Sequence, residues 1–115
     1  MSQPTPNYSA RSESVGQVGR TLNSVRQHAI VIESSAMNGE INSGEAFLVG
    51  ISSCGVTLIE GAAQQLGIGI KHMEVQIDGY RRPDVAAFEH IDMRFTFVGP
   101  SENEAAVLVG RYRDG

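Results

Sequence analysis

The spacing of hydrophobic positions changes along the chain, and each spacing predicts a different element. Over residues 44–66 apolar and small residues follow one another with no fixed polar face, which predicts a long helix buried on all sides. Residues 73–77 and 91–97 alternate apolar with polar side chains, the pattern of strands with one buried face. A second helix is predicted from Ser101, where an acidic first turn precedes an apolar stripe.

Both ends of the long helix are marked in the sequence. Asn42 and Ser43 can each cap a helix N-terminus, and Glu45 stands three residues after Asn42, as in a capping box. Gly67 follows Leu66, at the position where a left-handed residue commonly ends a helix.

The pattern before the helix is weaker. Residues 1–14 are rich in serine, proline and small polar types, which predicts a flexible N-terminal arm ahead of a folded domain at residues 15–115. Strands are expected at residues 15–22 and 28–34, where they could pair as a hairpin, followed by a loop around Asn38 and Gly39. The order ββ, long α, ββ, α predicts an α+β fold with an antiparallel sheet.

The second strand pair also has a predicted register. In an antiparallel hairpin, the residue numbers of any two directly opposed residues add up to the same value, the index sum. An even index sum places the apolar residues of both strands on one face of the hairpin. A sum of 168 places Asp78 opposite His90, whereas a sum of 170 places Asp78 opposite Asp92. Because opposed like charges are unfavourable, 168 is the predicted register.

Composition excludes several partners. The 115 residues hold 9 basic and 13 acidic side chains, a net charge of −4, so neither nucleic acid nor an anionic membrane surface is an expected partner. Polar residues interrupt the longest apolar stretch, so no membrane-spanning segment is expected. The single cysteine and the polar N-terminus predict a cytoplasmic protein. No Cys/His spacing suggests a metal, and no cofactor is expected.

Cys54, in the middle of the long helix, is the candidate nucleophile. At 100° per residue, Phe47, Gly50, Leu58 and Gly61 all lie within about 40° of it, on one helix face. The glycines allow a ligand or another backbone to approach, and the two large side chains supply an apolar wall. From the residues alone, Cys54 is either a reactive thiol or a small buried hydrophobe, as most free cysteines are.

The segment from Asn42 to Cys54 resembles the first cysteine motif of the OsmC/Ohr family, the osmotically inducible protein C and organic hydroperoxide resistance proteins. The resemblance extends over roughly residues 25–115. It implies an OsmC-like intertwined homodimer whose long central helices are covered by sheets from both chains. A second subunit would also cover apolar helix surface that a single chain of this length can hardly bury.

The resemblance further implies an oxidoreductase of the oxidative stress response with peroxiredoxin-like activity. Cys54 would attack the terminal oxygen of a small organic hydroperoxide, with an arginine and a glutamate positioning the thiolate. Arg20 is the best candidate for the arginine and Arg26 the next. The family glutamate falls at the position of Gly44, so its neighbour Glu45 is the candidate here. Cys54 is then expected to be partly buried, beside an arginine of either chain.

One departure from the family bears on turnover. The family condenses its sulfenic acid with a second cysteine, but this chain has one cysteine and reaches residue 115 about where that Cys-Pro pair begins. The C-terminal part of the family domain is therefore expected to be absent, and an external thiol would act as reductant. The alternative is a non-catalytic OsmC-like dimeric module that binds a small apolar ligand.

Overall fold

The computed structural model describes residues 4–85 and 87–114. Along the chain the elements are β1 (Arg11–Ser14), β2 (Arg20–Val25), β3 (His28–Glu33), α1 (Ser43–Leu66), β4 (His72–Tyr80), β5 (His90–Val98) and α2 (Glu102–Asp114). The antiparallel sheets, the long helix and the C-terminal helix confirm the predicted α+β class. The chain divides into two compact units, Met1–Ala46 and Phe47–Gly115.

The first unit contains a three-stranded antiparallel sheet in the order β1-β2-β3. Strands β2 and β3 form the predicted hairpin, with Val25 opposite His28. The predicted start of the first strand is wrong, because Gly16 and Gly19 adopt positive φ angles of 85° and 93° that a strand does not accommodate. Residues 11–14, predicted as part of the arm, form β1 instead. The boundary between arm and domain at residue 15 stays a prediction.

Both ends of α1 are formed as the sequence predicts. Glu45 N–H donates to Asn42 Oδ1 at 2.8 Å, and Asn42 N–H donates to Glu45 Oε1 at 2.9 Å, which completes the capping box. At the other end Gly67 has a φ of 71°, and Ile68 N–H donates to Ala63 C=O at 2.9 Å. This is the hydrogen bond that closes a Schellman motif.

The second unit is organised around one buried cluster. Ile59 and Ala63 of α1, Met73 of β4 and Leu108 of α2 are all buried within it. Val75 and the aromatic residues of β5 pack against the cluster from the apolar faces of the two strands. The alternating pattern therefore identified the buried faces of β4 and β5 correctly, and the stripe on α2 faces the same core.

Strands β4 and β5 pair with an index sum of 170, so the even sum is confirmed and the predicted value of 168 is wrong. Asp78 lies directly opposite Asp92. Each carboxylate has a polar neighbour: Gln76 Nε2 donates to Asp78 Oδ1 at 3.1 Å, and His90 Nε2 lies 3.8 Å from Asp92 Oδ2. Opposed like charges on a sheet surface cost about a few tenths of a kcal/mol, which other contacts can outweigh.

The turn end of the hairpin supplies those contacts. Glu89 N–H donates to Tyr80 C=O at 2.6 Å, and the rings of Tyr80 and His90 stack with centroids 4.5 Å apart. Phe88 packs on Gly79, where a Cβ would lie 2.5 Å from Phe88 Cε1. Tyr80 lies opposite His90 only when the index sum is 170. The closing residues of the hairpin, rather than the charges along its strands, therefore set the register.

Within the single chain α1 is buried on one side only. Its buried residues are Gly55, Ile59 and Ala63, whereas Phe47 and Val49 are 57% and 59% exposed. The predicted burial on all sides is therefore not achieved by one chain. By length and composition alone α1 could cross a membrane, with a mean hydropathy of 1.6 in its most apolar window. Its buried side belongs to the core of the second unit, and the expected absence of a membrane partner stays a prediction.

We expect Gly79→Ala to destabilise the protein by about 1 kcal/mol, because the added methyl group must displace the Phe88 ring. Urea unfolding followed by circular dichroism measures the change in the free energy of unfolding. Gly69→Ala is the matched control, since a Cβ at Gly69 would meet no atom within 4 Å. If both variants were as stable as the unaltered protein, the contact between Phe88 and Gly79 would not hold the turn.

Candidate functional site: the Cys54 face and the Arg20–Glu33 pair

One exposed face of α1 carries the thiol. We call it the Cys54 face and define it by five residues: Phe47, Gly50, Cys54, Leu58 and Gly61. Cys54 is exposed, Phe47 and Leu58 are each 57% exposed, and a Cβ at Gly50 or Gly61 would meet no atom within 4 Å. The predicted partial burial of Cys54 is therefore wrong for the single chain. The face presents a thiol between open glycine positions and two apolar side chains.

The packing of Gly55 explains why the thiol points outward. A Cβ at Gly55 would lie 3.3 Å from Met93 Cε and 3.5 Å from the Tyr112 ring, so these side chains pack directly on the helix backbone. Tyr112 Oη also donates to Met93 Sδ at 3.7 Å. Successive helix residues differ by about 100° in direction. A helix that buries Gly55 therefore turns Cys54 toward its open side.

An aromatic pair lies at the N-terminal end of the Cys54 face. The rings of Phe47 and Phe88 stack with centroids 5.9 Å apart and planes 16° from parallel. Phe47 precedes Cys54 by about 10 Å along the helix axis at 1.5 Å per residue. Gly50 lies between the thiol and this pair along the helix, and a Cβ there would meet no atom within 4 Å.

Arg20 lies in the first unit, on β2 directly opposite Glu33. Its Nε and one terminal nitrogen both donate to Glu33 Oε2, at 2.7 and 2.6 Å, and the other terminal nitrogen donates to Gln17 Oε1 at 2.9 Å. The Arg20 side chain is 40% exposed while that of Glu33 is 1% exposed. Arg26, the second candidate, is exposed in the β2–β3 turn with a φ of 55°.

Glu33 connects the hairpin to the loop that follows it. Its Oε1 accepts hydrogen bonds from the backbone N–H groups of Gly39 and Glu40, at 2.9 and 2.8 Å. The Arg20 side chain and these two N–H groups hold the pKa of Glu33 below its usual range, against the opposing effect of burial. The carboxylate is therefore ionised at neutral pH and fixes loop and strand together.

Two of the three residues predicted as catalytic, Arg20 and Glu45, have separate local partners. Arg20 contacts Glu33 and Gln17, and Glu45 is engaged in the capping box with Asn42. Their grouping around Cys54 stays a prediction. Sequence reasoning missed Glu33, although the pairing argument used for the second hairpin would have found it: a two-residue turn after Val25 places the opposite charges of residues 20 and 33 side by side.

The histidines of the second hairpin are exposed and lie beside carboxylates. His72 Nε2 is 3.4 Å from Glu74 Oε1, and His90 pairs with Asp92. Across residues 4–85 and 87–114, no group of three or more His, Cys, Asp and Glu side chains is arranged to hold a metal ion. These imidazoles are surface groups, as the polar side of an alternating strand predicts.

Solved structures share this fold. An OsmC-like protein from Mycoplasma pneumoniae superposes with a TM-score of 0.83 at 15% identity, covering 95% of this chain and 82% of that one. A hypothetical protein from Aquifex aeolicus gives a TM-score of 0.79 at 17% identity, covering 94% and 80%. An organic hydroperoxide resistance protein OsmC from Legionella pneumophila gives 0.67 at 17% identity, covering 97% and 85%. At these identities the likeness establishes the fold.

The sequence itself establishes the family. The profile of the family described as OsmC-like protein matches residues 36–109, which is more than half of the chain and includes the whole of α1. No curated protein sequence matches the chain. The fold and the exposed thiol define an α+β protein with a cysteine on its central helix. The chain belongs to the OsmC family.

Lowering the pH should weaken the contribution of the Glu33 contacts to the free energy of unfolding. Because the pKa of Glu33 is lowered from 4.5 in the folded chain, its contribution to stability is present above pH 4.5 and is lost as the pH falls through the folded-state pKa. We expect Glu33→Gln to lower stability at pH 7 and to flatten the decline of the unfolding free energy below pH 4.5. Glu60→Gln, at an exposed position of α1, should leave the decline unchanged. An equally steep decline in Glu33→Gln would mean that another carboxylate causes it.

Proposed function

We propose that this protein reduces organic hydroperoxides through the thiol of Cys54. The observation that carries the proposal is the exposure of Cys54 on an otherwise apolar face of α1, open at Gly50 and Gly61. Membership of the OsmC family supports a general OsmC-like role. The structure from Legionella pneumophila, which is described as an organic hydroperoxide resistance protein, supports the choice of substrate.

The reaction begins with attack of the Cys54 thiolate on the terminal oxygen of the hydroperoxide. A sulfur–oxygen bond forms, the oxygen–oxygen bond breaks, and the departing alkoxide takes a proton to become an alcohol. Cys54 is oxidised to a sulfenic acid and the hydroperoxide is reduced. An external thiol then displaces water from the sulfenic acid to form a mixed disulfide, which a second thiol reduces. With one cysteine in the sequence, the reductant comes from outside the chain.

In this proposal three residues have distinct roles. Cys54 is the nucleophile, and Arg20, of the same or the partner subunit, supplies positive charge that favours the thiolate. Glu45 holds the N-terminal end of the helix that presents Cys54, through its hydrogen bond to Asn42. A reducing, cytoplasmic compartment suits a protein whose single thiol must return to the reduced state.

Oxidation of Cys54 by stoichiometric hydroperoxide tests the proposal. We expect cumene hydroperoxide to form a sulfenic acid on the protein, trapped by dimedone and located by mass spectrometry, much faster than it oxidises free cysteine. The apolar surface around the thiol predicts a slower reaction with hydrogen peroxide. Cys54→Ser should form no adduct.

If cumene hydroperoxide oxidised Cys54 no faster than free cysteine, the proposed peroxidase activity would be contradicted. It would favour the second candidate, a non-catalytic OsmC-like module that binds a small apolar ligand. The specific observation behind this alternative is the Phe47–Phe88 pair, in which Phe47 is 57% exposed and offers an apolar contact surface whether or not the thiol reacts. Under the alternative, 2-phenyl-2-propanol would still bind Cys54→Ser, as measured by ligand-observed NMR.

The protein acts in this proposal as an intertwined homodimer. Phe47, Val49, Leu58 and Leu66 are large apolar residues left exposed on one helix of the single chain. Exposed apolar surface of this kind commonly marks an interface. A second copy that contacts the Cys54 face would bury Phe47 and Leu58 and bring two thiol-bearing helices together.

Sedimentation of a charged variant tests the dimer. Leu58→Glu places a carboxylate on the Cys54 face, where Leu58 is 57% exposed in one chain, so we expect a monomer at micromolar concentration. Val107→Glu is the control, because Val107 is 50% exposed on α2. A Leu58→Glu variant that remains a dimer, or an unaltered protein that sediments as a monomer, would contradict this interface.

A further inference from the structure

Asn38 and Gly39 form the only Asn-Gly pair in the sequence. An asparagine in such a pair is prone to deamidation, because glycine has no side chain to hinder its backbone nitrogen from reaching the asparagine carboxamide. Asn38 is exposed in the loop between β3 and α1, with a φ of 60°, a left-handed conformation that asparagine tolerates. Its exposure and its neighbour therefore make Asn38 a candidate for modification.

Deamidation of Asn38 proceeds through a cyclic imide. The Gly39 nitrogen loses its proton to hydroxide and attacks Asn38 Cγ. A bond forms between this nitrogen and Cγ, the bond from Cγ to Nδ2 breaks, and Nδ2 leaves as ammonia with a proton taken from water. Water then opens the imide at either carbonyl, which leaves aspartate or isoaspartate, and no group is oxidised or reduced. The Gly39 N–H is therefore the group on which the reaction depends.

The structure holds this N–H in a hydrogen bond to a buried carboxylate. Gly39 N–H donates to Glu33 Oε1 at 2.9 Å, and the N–H of Glu40 donates to the same oxygen at 2.8 Å. Glu33 is 2% exposed, and its own N–H donates to Ile41 C=O at 2.9 Å. The peptide groups that follow Asn38 are therefore fixed by one buried residue.

A carboxylate in this position opposes imide formation for two reasons. Removal of the Gly39 proton would place a second negative charge beside that of Glu33, and a neighbouring like charge disfavours ionisation. The proton that must leave is also the one that forms the hydrogen bond, so a charge-assisted hydrogen bond is lost with it. Glu33 is poorly suited to take the proton itself, because Arg20 and the two N–H groups hold its pKa below its usual range.

We propose that Asn38 is a deamidation site that Glu33 keeps unreactive by holding the Gly39 N–H. Isoaspartate at residue 38 would lengthen the backbone by one carbon ahead of Gly39 and displace both N–H groups from Glu33. Once made, the modification would therefore prevent the loop from closing again on the carboxylate. All of these residues belong to the first unit, and the shielding is independent of the chemistry at Cys54.

The rate of deamidation at residue 38 tests the proposal. The unaltered protein and Glu33→Gln are incubated at mildly alkaline pH, and aspartate and isoaspartate at residue 38 are quantified by peptide mapping with mass spectrometry. A carboxamide carries no negative charge and accepts only an uncharged hydrogen bond. We therefore expect Glu33→Gln to deamidate roughly tenfold faster than the unaltered protein, the factor expected for the loss of one hydrogen bond to a charged group.

Three further measurements separate shielding from loosening of the chain. Gly79→Ala, expected to destabilise the second unit without touching the Glu33 contacts, should deamidate at the rate of the unaltered protein. In urea, the unaltered protein and Glu33→Gln should deamidate equally fast, and faster than the folded unaltered protein. Hydrogen exchange in the unaltered protein, which needs no variant, should be slower at the Gly39 and Glu40 amides than in the unfolded chain.

Each other outcome overturns the shielding role. An unchanged rate in Glu33→Gln means that the carboxylate has no influence on Asn38, and a slower rate makes Glu33 the base that removes the Gly39 proton. An equal acceleration in Gly79→Ala assigns the effect to lost stability. If circular dichroism shows that Glu33→Gln does not fold, the unaltered protein decides: equal deamidation rates with and without urea, or unprotected Gly39 and Glu40 amides, contradict the shielding.

Discussion

The apolar surface of α1 is the constraint on which the rest of the second unit depends. Ile59 and Ala63 anchor one side of the helix in the core, and Gly55 lets Met93 and Tyr112 pack against its backbone. That packing decides how the helix is rotated about its axis. The rotation places Cys54 on the open side and leaves large apolar residues unburied by the chain itself. The exposed thiol and the uncovered apolar surface thus have one cause.

Structural features that depend on residues close together in the sequence were predictable from it. The capping box at Asn42 and the left-handed Gly67 fix both ends of α1, because these groups satisfy backbone atoms that the helix leaves unpaired. Alternation in β4 and β5 predicted the buried face, since the side-chain period of a strand is two. The OsmC motif around Cys54 added the family, which the match over residues 36–109 establishes.

Structural features that depend on contacts formed only in the folded chain were not predictable in the same way. The register of β4 and β5 depends on Phe88 packing on Gly79, a contact between a loop ring and a strand glycine that no periodicity displays. The unfavourable pair of Asp78 and Asp92 is tolerated because Asp92 is exposed and both residues have polar neighbours. The burial of Glu33 likewise depends on a loop folding back so that Gly39 and Glu40 donate to it. Both features rest on contacts that form only in the folded chain.

The proposed chemistry and the proposed dimer place opposite demands on the Cys54 face. A second subunit is needed to cover Phe47 and Leu58, whereas a hydroperoxide and then an external thiol must both reach the sulfur. The glycines reconcile these demands, since Gly50 and Gly61 flank Cys54 with no side chain and no neighbouring atom within 4 Å of a Cβ position. A partner helix can contact the large side chains while the glycine positions leave space beside the thiol. The absence of side chains at these two positions is therefore as important to the proposed function as the cysteine between them.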